Sequence, residues 1–198
     1  MIRRLSVAFL GLCLSPAALA QSAPAGAPAP PPPSMAPPTS AAQSLDRQLG
    51  FAENDLLSLA EAMPADKYDF APSGPGFKDV RTFKQQLGHV AATIYAAAAS
   101  LLGEPPNLKE ADLSGGPSGL RSKEDFVGYL KGAFAKGHKA IATVDEKNLI
   151  EVVGPKDGMR GTRLGLSNLM TWHTFDHYGQ LVIYARMNGV VPPASMRK

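Results

Sequence analysis

The stretch WHTFDHYGQLVIYARMNG, residues 172–189, carries the strongest structural signal in the chain. It holds His173 and His177 four residues apart, so on an α-helix both imidazoles lie on one face about one turn apart. The other residues that fall on this face are mostly apolar, and they are Leu166, Leu169, Met170, Leu181 and Tyr184. The spacing therefore predicts a helix from about Leu164 to Asn188, ended by Gly189, that turns two histidines into a core.

Three earlier segments also carry hydrophobic residues at helical spacing. They are separated by stretches rich in glycine and proline, and we expect helices over about residues 44–62, 80–102 and 122–144. Ser122 with Asp125 resembles a capping box at the start of the third helix. No segment shows sustained alternation, although residues 149–153 fit a short extended piece. The pattern predicts an all-α four-helix bundle whose long second and third connections argue against a simple up-and-down pairing.

The first 20 residues, MIRRLSVAFLGLCLSPAALA, have the features of a secretory signal peptide. Two arginines precede a short apolar run, and Ala18-Leu19-Ala20 supplies a small-residue cleavage site. The apolar run, interrupted by Pro16, is too short for a membrane span, and no later segment is a candidate. A lipoprotein signal with Cys13 lipidated is an alternative, but Leu12 is large where such signals need a small residue. We therefore expect export to the periplasm or the extracellular space.

After cleavage, the chain would begin with a segment that cannot form a core. Residues 21–43 contain eight prolines, seven alanines and no charge, which favours an extended, solvated and disordered linker. The folded domain would then cover residues 44–198, a size suited to one domain. Cleavage would also remove the only cysteine, Cys13, and two arginines, so the 20 basic residues become 18 against 17 acidic ones. This near-neutral charge argues against a nucleic-acid-binding protein.

The histidines are the remaining candidates for chemistry, because the sequence has no glycine-rich phosphate loop or nucleophile elbow. His173 and His177 fit two interpretations: ligands of one metal ion, or core histidines hydrogen-bonded to backbone or to each other. His89 lies away from the apolar stripe of its helix, so its spacing does not settle whether it faces the pair. His138 flanks the apolar stripe of the third helix, which favours a polar or half-exposed role.

The string QQLGHVAATIY, residues 85–95, together with residues 172–189, resembles the DinB-like superfamily of small metal-binding helical bundles. The lead-in MPADKYDFAPSGPGFKDVRTF, residues 63–83, is also similar to that family, and the resemblance extends over about residues 44–194. It implies a site for one divalent metal ion, formed by one histidine of the second helix and an H-x-x-x-H pair of the fourth. Carried over by position, these ligands are His89, His173 and His177. His138 matches no ligand in that pattern.

Such a site would have an open coordination position, because three imidazoles do not complete the coordination of a divalent ion. Nitrogen ligands suit zinc, nickel or iron(II). Asp176 and Gln180 are candidates to orient an imidazole through its second nitrogen, with a solvated Asp176 as the alternative. Trp172 and Tyr178 are expected to pack rather than to catalyse.

Three functions follow from these expectations. The first is a metal-dependent enzyme, since the DinB-like superfamily that the chain resembles includes thiol-dependent transferases and isomerases. An oxidising envelope offers little free thiol, and this favours a hydrolase over those thiol-dependent reactions. The second is a binding protein that captures a small anionic or thiol ligand without turnover, and the third is a helical domain with a structural metal. An acid or base near the metal separates them, and Asp176 and Glu104 are the candidates. The partner is an unknown small-molecule ligand or substrate, and the sequence leaves a homodimer open.

The predicted cleavage site can be tested on protein exported from cells. We expect the mature N-terminus at Gln21, because Ala18 and Ala20 are the small residues that the peptidase selects. Intact-mass and N-terminal peptide mass spectrometry would check this. A chain that retains Met1, or one that starts at a lipidated Cys13, would contradict soluble export.

Overall fold

Five α-helices and one two-stranded ribbon form the folded domain in the computed structural model, which describes residues 37–105, 108–109 and 111–197. The helices are α1 (Ala41–Ala62), α2 (Phe83–Leu102), α3 (Asp112–Gly115), α4 (Lys123–Ile141) and α5 (Arg163–Met187). Strands β1 (Val152–Val153) and β2 (Gly161–Thr162) pair antiparallel, and short 3₁₀ helices cover Ala65–Lys67 and Pro193–Met196. The predicted signal peptide, residues 1–20, and most of the predicted linker, residues 21–43, lie outside the described residues.

Each of the four long helices begins at a side chain that accepts a hydrogen bond from a first-turn amide. These capping residues are Ser40, Thr82, Ser122 and Thr162. Ser122 and Asp125 form the capping box that the sequence predicts. The Ser40 hydroxyl accepts from the Gln43 amide, so α1 begins at Ala41, earlier than the predicted start near Ser44. The end of the predicted linker therefore belongs to the first helix.

The four long helices form a bundle in which α1 and α2 each pack against both α4 and α5. Helices α1 and α2 therefore lie on a diagonal, which agrees with the prediction that the pairing is not simply up and down. The core between them is apolar and fully buried, and it includes Leu49, Leu56, Leu87, Ile94, Leu130, Phe134, Met170 and Leu181. No helix in the described part of the chain is both long enough and apolar enough to cross a membrane.

The two long connections are more ordered than the sequence pattern indicates. Strand β1 confirms the short extended piece expected within residues 149–153. Helix α3 in the second connection packs against α2. Hydrophobic periodicity does not predict α3, because four residues make only about one helical turn.

His138 on α4 is bound by two carboxylates of α1. Its Nδ1 lies 2.5 Å from Asp46 Oδ1, and its Nε2 lies 3.0 Å from Glu53 Oε2. The hydrogen bond to Glu53 is the main cause that raises the pKa of His138 to about 9, with Asp46 contributing. The predicted polar or half-exposed role of His138 is therefore confirmed, and the protonated imidazole links α4 to α1.

This link makes part of the stability pH-dependent. The folded pKa of His138 is raised from 6.5 to about 9, so its contribution is complete below about pH 6.5 and is lost as the pH rises through about 9. We expect His138→Gln to lower the free energy of unfolding by about 1 to 2 kcal/mol near pH 6 and by much less near pH 10. Urea unfolding at both pH values would measure the difference.

Lys139→Gln is the matched control, because Lys139 is an exposed cation next in sequence on the same helix. Its effect should be small and equal at the two pH values, since a single exposed surface charge contributes little to stability. An equal loss for His138→Gln at both pH values would show that the imidazole contributes by packing and not by charge.

Candidate metal centre

Three histidines meet between α2 and α5. The ring centroids are 4.9 Å apart for His89 and His173, 4.7 Å for His89 and His177, and 4.5 Å for His173 and His177. One nitrogen from each ring lies within 4.8 Å of the other two. His177 is buried and the other two are half-buried. The structure thus brings together the three residues named by sequence, and it could hold a metal ion between them.

His89 lies beside His173 and His177 although it is outside the apolar stripe of α2. Helix α2 is contacted by α3, α4 and α5, so far more of its surface is covered than one stripe. Small residues on the histidine side, Ala92 and Thr93, are buried by these approaches. Rotation around a helix predicts burial only where a single face is covered, so the sequence alone leaves the position of His89 open.

Two of the three imidazoles are oriented by an acceptor on their Nδ1 side. The Nδ1–H of His89 donates to the carbonyl oxygen of Leu113, and the Nδ1–H of His177 donates to Oε1 of Gln86. A proton on Nδ1 leaves the lone pair of a neutral imidazole on Nε2. In His173 the Nε2 atom is itself buried and has no hydrogen-bond partner. These nitrogens have the chemistry that a divalent metal ion requires of its ligands.

The electrostatics of the cluster keep the imidazoles neutral. Burial is the main cause that lowers the pKa of His173 and of His177 to about 4, and repulsion from the neighbouring histidines adds to it. Burial also lowers the pKa of His89. Neutral imidazoles coordinate metals, whereas imidazolium cannot. At neutral pH the site therefore offers three lone pairs without first having to release protons.

The group that orients His177 is Gln86, a residue that the sequence argument did not single out. Its side chain is 3 % exposed, and its Nε2 donates to Oε1 of Gln180 over 2.9 Å. Gln180 in turn lies 3.4 Å from the exposed carboxylate of Asp176. Gln180 thus supports His177 indirectly, through Gln86. The hydrogen-bond partner of Asp176 is Gln180 and not an imidazole. The position of Gln86 in the sequence could have identified it, since it lies three residues before His89 and therefore near the same face of the helix.

Other candidates lie in different surroundings. Glu104 follows the end of α2 and pairs with Lys136 of α4 over 2.6 Å, so it is not placed to act at the histidines. His138 binds the carboxylates of α1, as described above. Trp172 contacts the edge of His173 with ring centroids 5.7 Å apart while remaining 54 % exposed, and Tyr178 packs against the core.

A close contact between two backbones places α3 against the site. A Cβ atom added at Gly88 would lie 2.0 Å from the carbonyl oxygen of Gly115, a distance that no real side chain adopts. Only glycine at this position lets α3 lie directly on α2, one residue from His89. Two carbonyl oxygens of α3 then accept hydrogen bonds. The oxygen of Leu113 accepts from His89, and the oxygen of Ser114 accepts from Nε of Arg81 over 2.7 Å.

Comparison with known proteins gives the chain a family. A model of the DinB superfamily matches residues 48–181, which is more than half of the chain. Among solved structures, a DinB-like protein from Bacillus subtilis is similar at 17% identity and a TM-score of 0.56, covering 74% of this chain and 92% of its own. A DinB-like protein from Bacillus cereus is similar at 16% identity and a TM-score of 0.54, covering 76% and 95%. These two likenesses show the fold, and no curated protein matches the chain.

The contact at Gly88 gives a test of how α3 supports the histidines. We expect Gly88→Ala to lower the free energy of unfolding by about 1 to 3 kcal/mol, because the added methyl group forces α3 away. Loss of the Leu113 acceptor should also weaken metal binding by about tenfold or more. Urea unfolding and metal titration would measure the two effects.

Gly128→Ala on α4 is the control, since a Cβ atom there meets nothing within 4 Å. It should raise stability by up to about 1 kcal/mol and leave metal affinity unchanged. If Gly88→Ala behaved in the same way, the backbone contact would not support the site.

Proposed function

This chain belongs to the DinB superfamily, and on that premise we propose that it binds one divalent metal ion through His89, His173 and His177. The observation that carries the proposal is the Nε2 atom of His173, which is buried without a hydrogen-bond partner beside two other imidazoles. Leaving such an atom unpaired costs about 1 to 3 kcal/mol. A metal ion that accepts its lone pair would remove this cost.

The donor set restricts which ions fit. Three imidazole nitrogens suit zinc, nickel or iron(II), and they leave at least one coordination position for a small molecule. When bound, such an ion supplies Lewis acidity, which lowers the pKa of a water molecule and polarises an oxygen or sulfur of a substrate. The ion that occupies the site in the cell depends on supply as well as on these ligands.

The protein's own part is to hold the three nitrogens in place and keep them unprotonated. The acceptors at Leu113 and Gln86 fix two of the rings, and burial favours their neutral form. Remaining coordination space is what a metal-dependent hydrolase or transferase needs for its substrate. We propose hydrolysis of a small molecule as the reaction, since a transferase of the thiol-dependent kind needs a reduced thiol.

A second function is favoured by one observation. In the described part of the chain, the metal-ligand cluster contains three histidines and no carboxylate. Asp176 is exposed and contacts Gln180. A site that lacks a nearby general base suits capture of a ligand without turnover, so a non-catalytic metal-dependent binding protein is the alternative.

The proposed place of action is outside the cytoplasm. Support comes from the sequence of residues 1–20, with its arginines, apolar run and Ala18-Leu19-Ala20 site. Loss of Cys13 on cleavage would leave no thiol in the mature chain. A histidine-only site suits such a compartment, because its ligands do not form disulfides.

Metal stoichiometry tests the proposal directly. We expect the purified domain, after loading with Zn²⁺ and dialysis, to retain about one equivalent of metal. His173→Ala should retain less than about one tenth of an equivalent, because it removes one of three ligands. Elemental analysis by mass spectrometry would give both values.

His138→Gln is the matched control, because it removes a histidine that binds α1 carboxylates and should leave the stoichiometry near one. Retention below about one tenth of an equivalent by the wild-type domain would overturn the proposal. Equal loss from His138→Gln and His173→Ala would show that the metal binds elsewhere.

A further inference from the structure

A polar cavity adjoins the histidine cluster. It has a volume of about 320 Å³ and is lined by Asp79, Arg81, Gln86, Ser114, Gln180 and Tyr184, among others. One of these residues, Gln86, is also the acceptor that orients His177. The cavity and the candidate metal centre therefore share a wall. Its volume is at the lower end of the range for small-molecule sites, so it suits a ligand of a few heavy atoms.

Arg81 gives this cavity a fixed positive charge. Its Nε donates to the carbonyl oxygen of Ser114 over 2.7 Å, and its own carbonyl oxygen receives the hydroxyl of Tyr184 over 3.1 Å. Both contacts hold the residue while leaving its terminal nitrogens available. Among the described residues, none of the ion pairs involves Arg81. The guanidinium therefore lines the cavity as a cation outside these ion pairs, with the planar donor geometry that carboxylates match.

The Arg81 cavity and the histidines share Gln86, which lines the cavity and accepts from His177. His89 and Arg81 also donate hydrogen bonds to consecutive carbonyl oxygens of α3, His89 to that of Leu113 and Arg81 to that of Ser114. Helix α3 thus sets the spacing between the cation and the metal ligands.

We propose that the Arg81 cavity binds the carboxylate of a small monocarboxylate whose second donor group, a hydroxyl or thiol, reaches the metal. This inference rests on the proposed metal function and adds the chemical class of the ligand. Gln180 lines the same cavity, and its amide is a further donor for a carboxylate oxygen. An uncharged analogue would leave the guanidinium unpaired on binding and would be disfavoured.

Asp79 limits the charge of the ligand. It lines the cavity, is exposed, and has a left-handed backbone with φ of 61°. Its carboxylate opposes Arg81 without pairing with it, so a second negative charge on the ligand would be repelled. Asparagine also adopts the left-handed region readily. Asp79→Asn therefore removes the opposing charge and keeps the backbone.

The test uses Co²⁺-loaded domain, because the visible spectrum of the ion reports a ligand that reaches it. Glycolate is titrated against glycolamide, its uncharged analogue of similar size. We expect glycolate to bind about tenfold more tightly to the wild-type domain. Arg81→Gln should abolish this preference while Co²⁺ remains stoichiometric, and Asp79→Asn should increase it.

Two further variants separate charge from structure. Arg81→Lys keeps the cation without the arginine fork, so most of the preference should remain. Arg160→Gln removes a cation that does not line the cavity, and the preference should be unchanged. Equal binding of glycolate and glycolamide by the wild-type domain, or a preference that survives Arg81→Gln, would overturn the inference.

Failure of the metal proposal gives a different result. A wild-type domain that takes up no Co²⁺ would refute the metal function, and calorimetry on the metal-free domain would then test the cavity with the same pair of probes. A glycolate preference that disappears in Arg81→Gln would still support the carboxylate site. Equal or absent heats for both probes would overturn it.

Discussion

The close approach of two backbones at Gly88 is the constraint on which the site depends. A side chain there would occupy the position of the Gly115 carbonyl, so α3 could not lie on α2. With α3 in place, two successive carbonyls point at functional groups, one at His89 and the other at Arg81. A segment of only four helical residues thus orients a candidate metal ligand and a cation together. Its own stability comes from packing, because a single turn cannot form a stable helix alone.

The bundle order explains why the histidines meet between the second and last long helices. Helices α1 and α2 lie on a diagonal, and this makes α2 and α5 neighbours although residues 103–162 separate them in the chain. The three imidazoles, one from α2 and two from α5, meet where these helices pack together. An ion bound there would join two segments distant in sequence, so its binding energy would also stabilise the fold.

Local signals in the sequence were sufficient for the main helices and for two of the three clustered histidines. Helical spacing predicted the four long helices, Ser122 with Asp125 predicted a helix start, and the i, i+4 pair predicted two inward histidines. The position of His89 in the cluster was predicted only by the family resemblance. Helical periodicity could not predict it, because α2 is covered by other helices on several sides. The Leu113 acceptor could not be predicted at all, since a backbone carbonyl has no residue signature. The role of Gln86 could have been predicted from the sequence, because it lies about one helical turn before His89.

The four histidines show how surroundings decide the role of a residue type. His138 lies between two carboxylates, which raise its pKa to about 9, so at neutral pH both nitrogens carry protons and it serves as a cation. Burial, with repulsion from the neighbouring histidines, lowers the pKa of His173 and of His177 to about 4, so they are neutral. Protons and metal ions compete for the same lone pairs. A histidine bound to carboxylates has already given its lone pair to a proton, whereas one buried without a partner keeps it. Burial therefore distinguishes the proposed metal ligands from His138 in this protein.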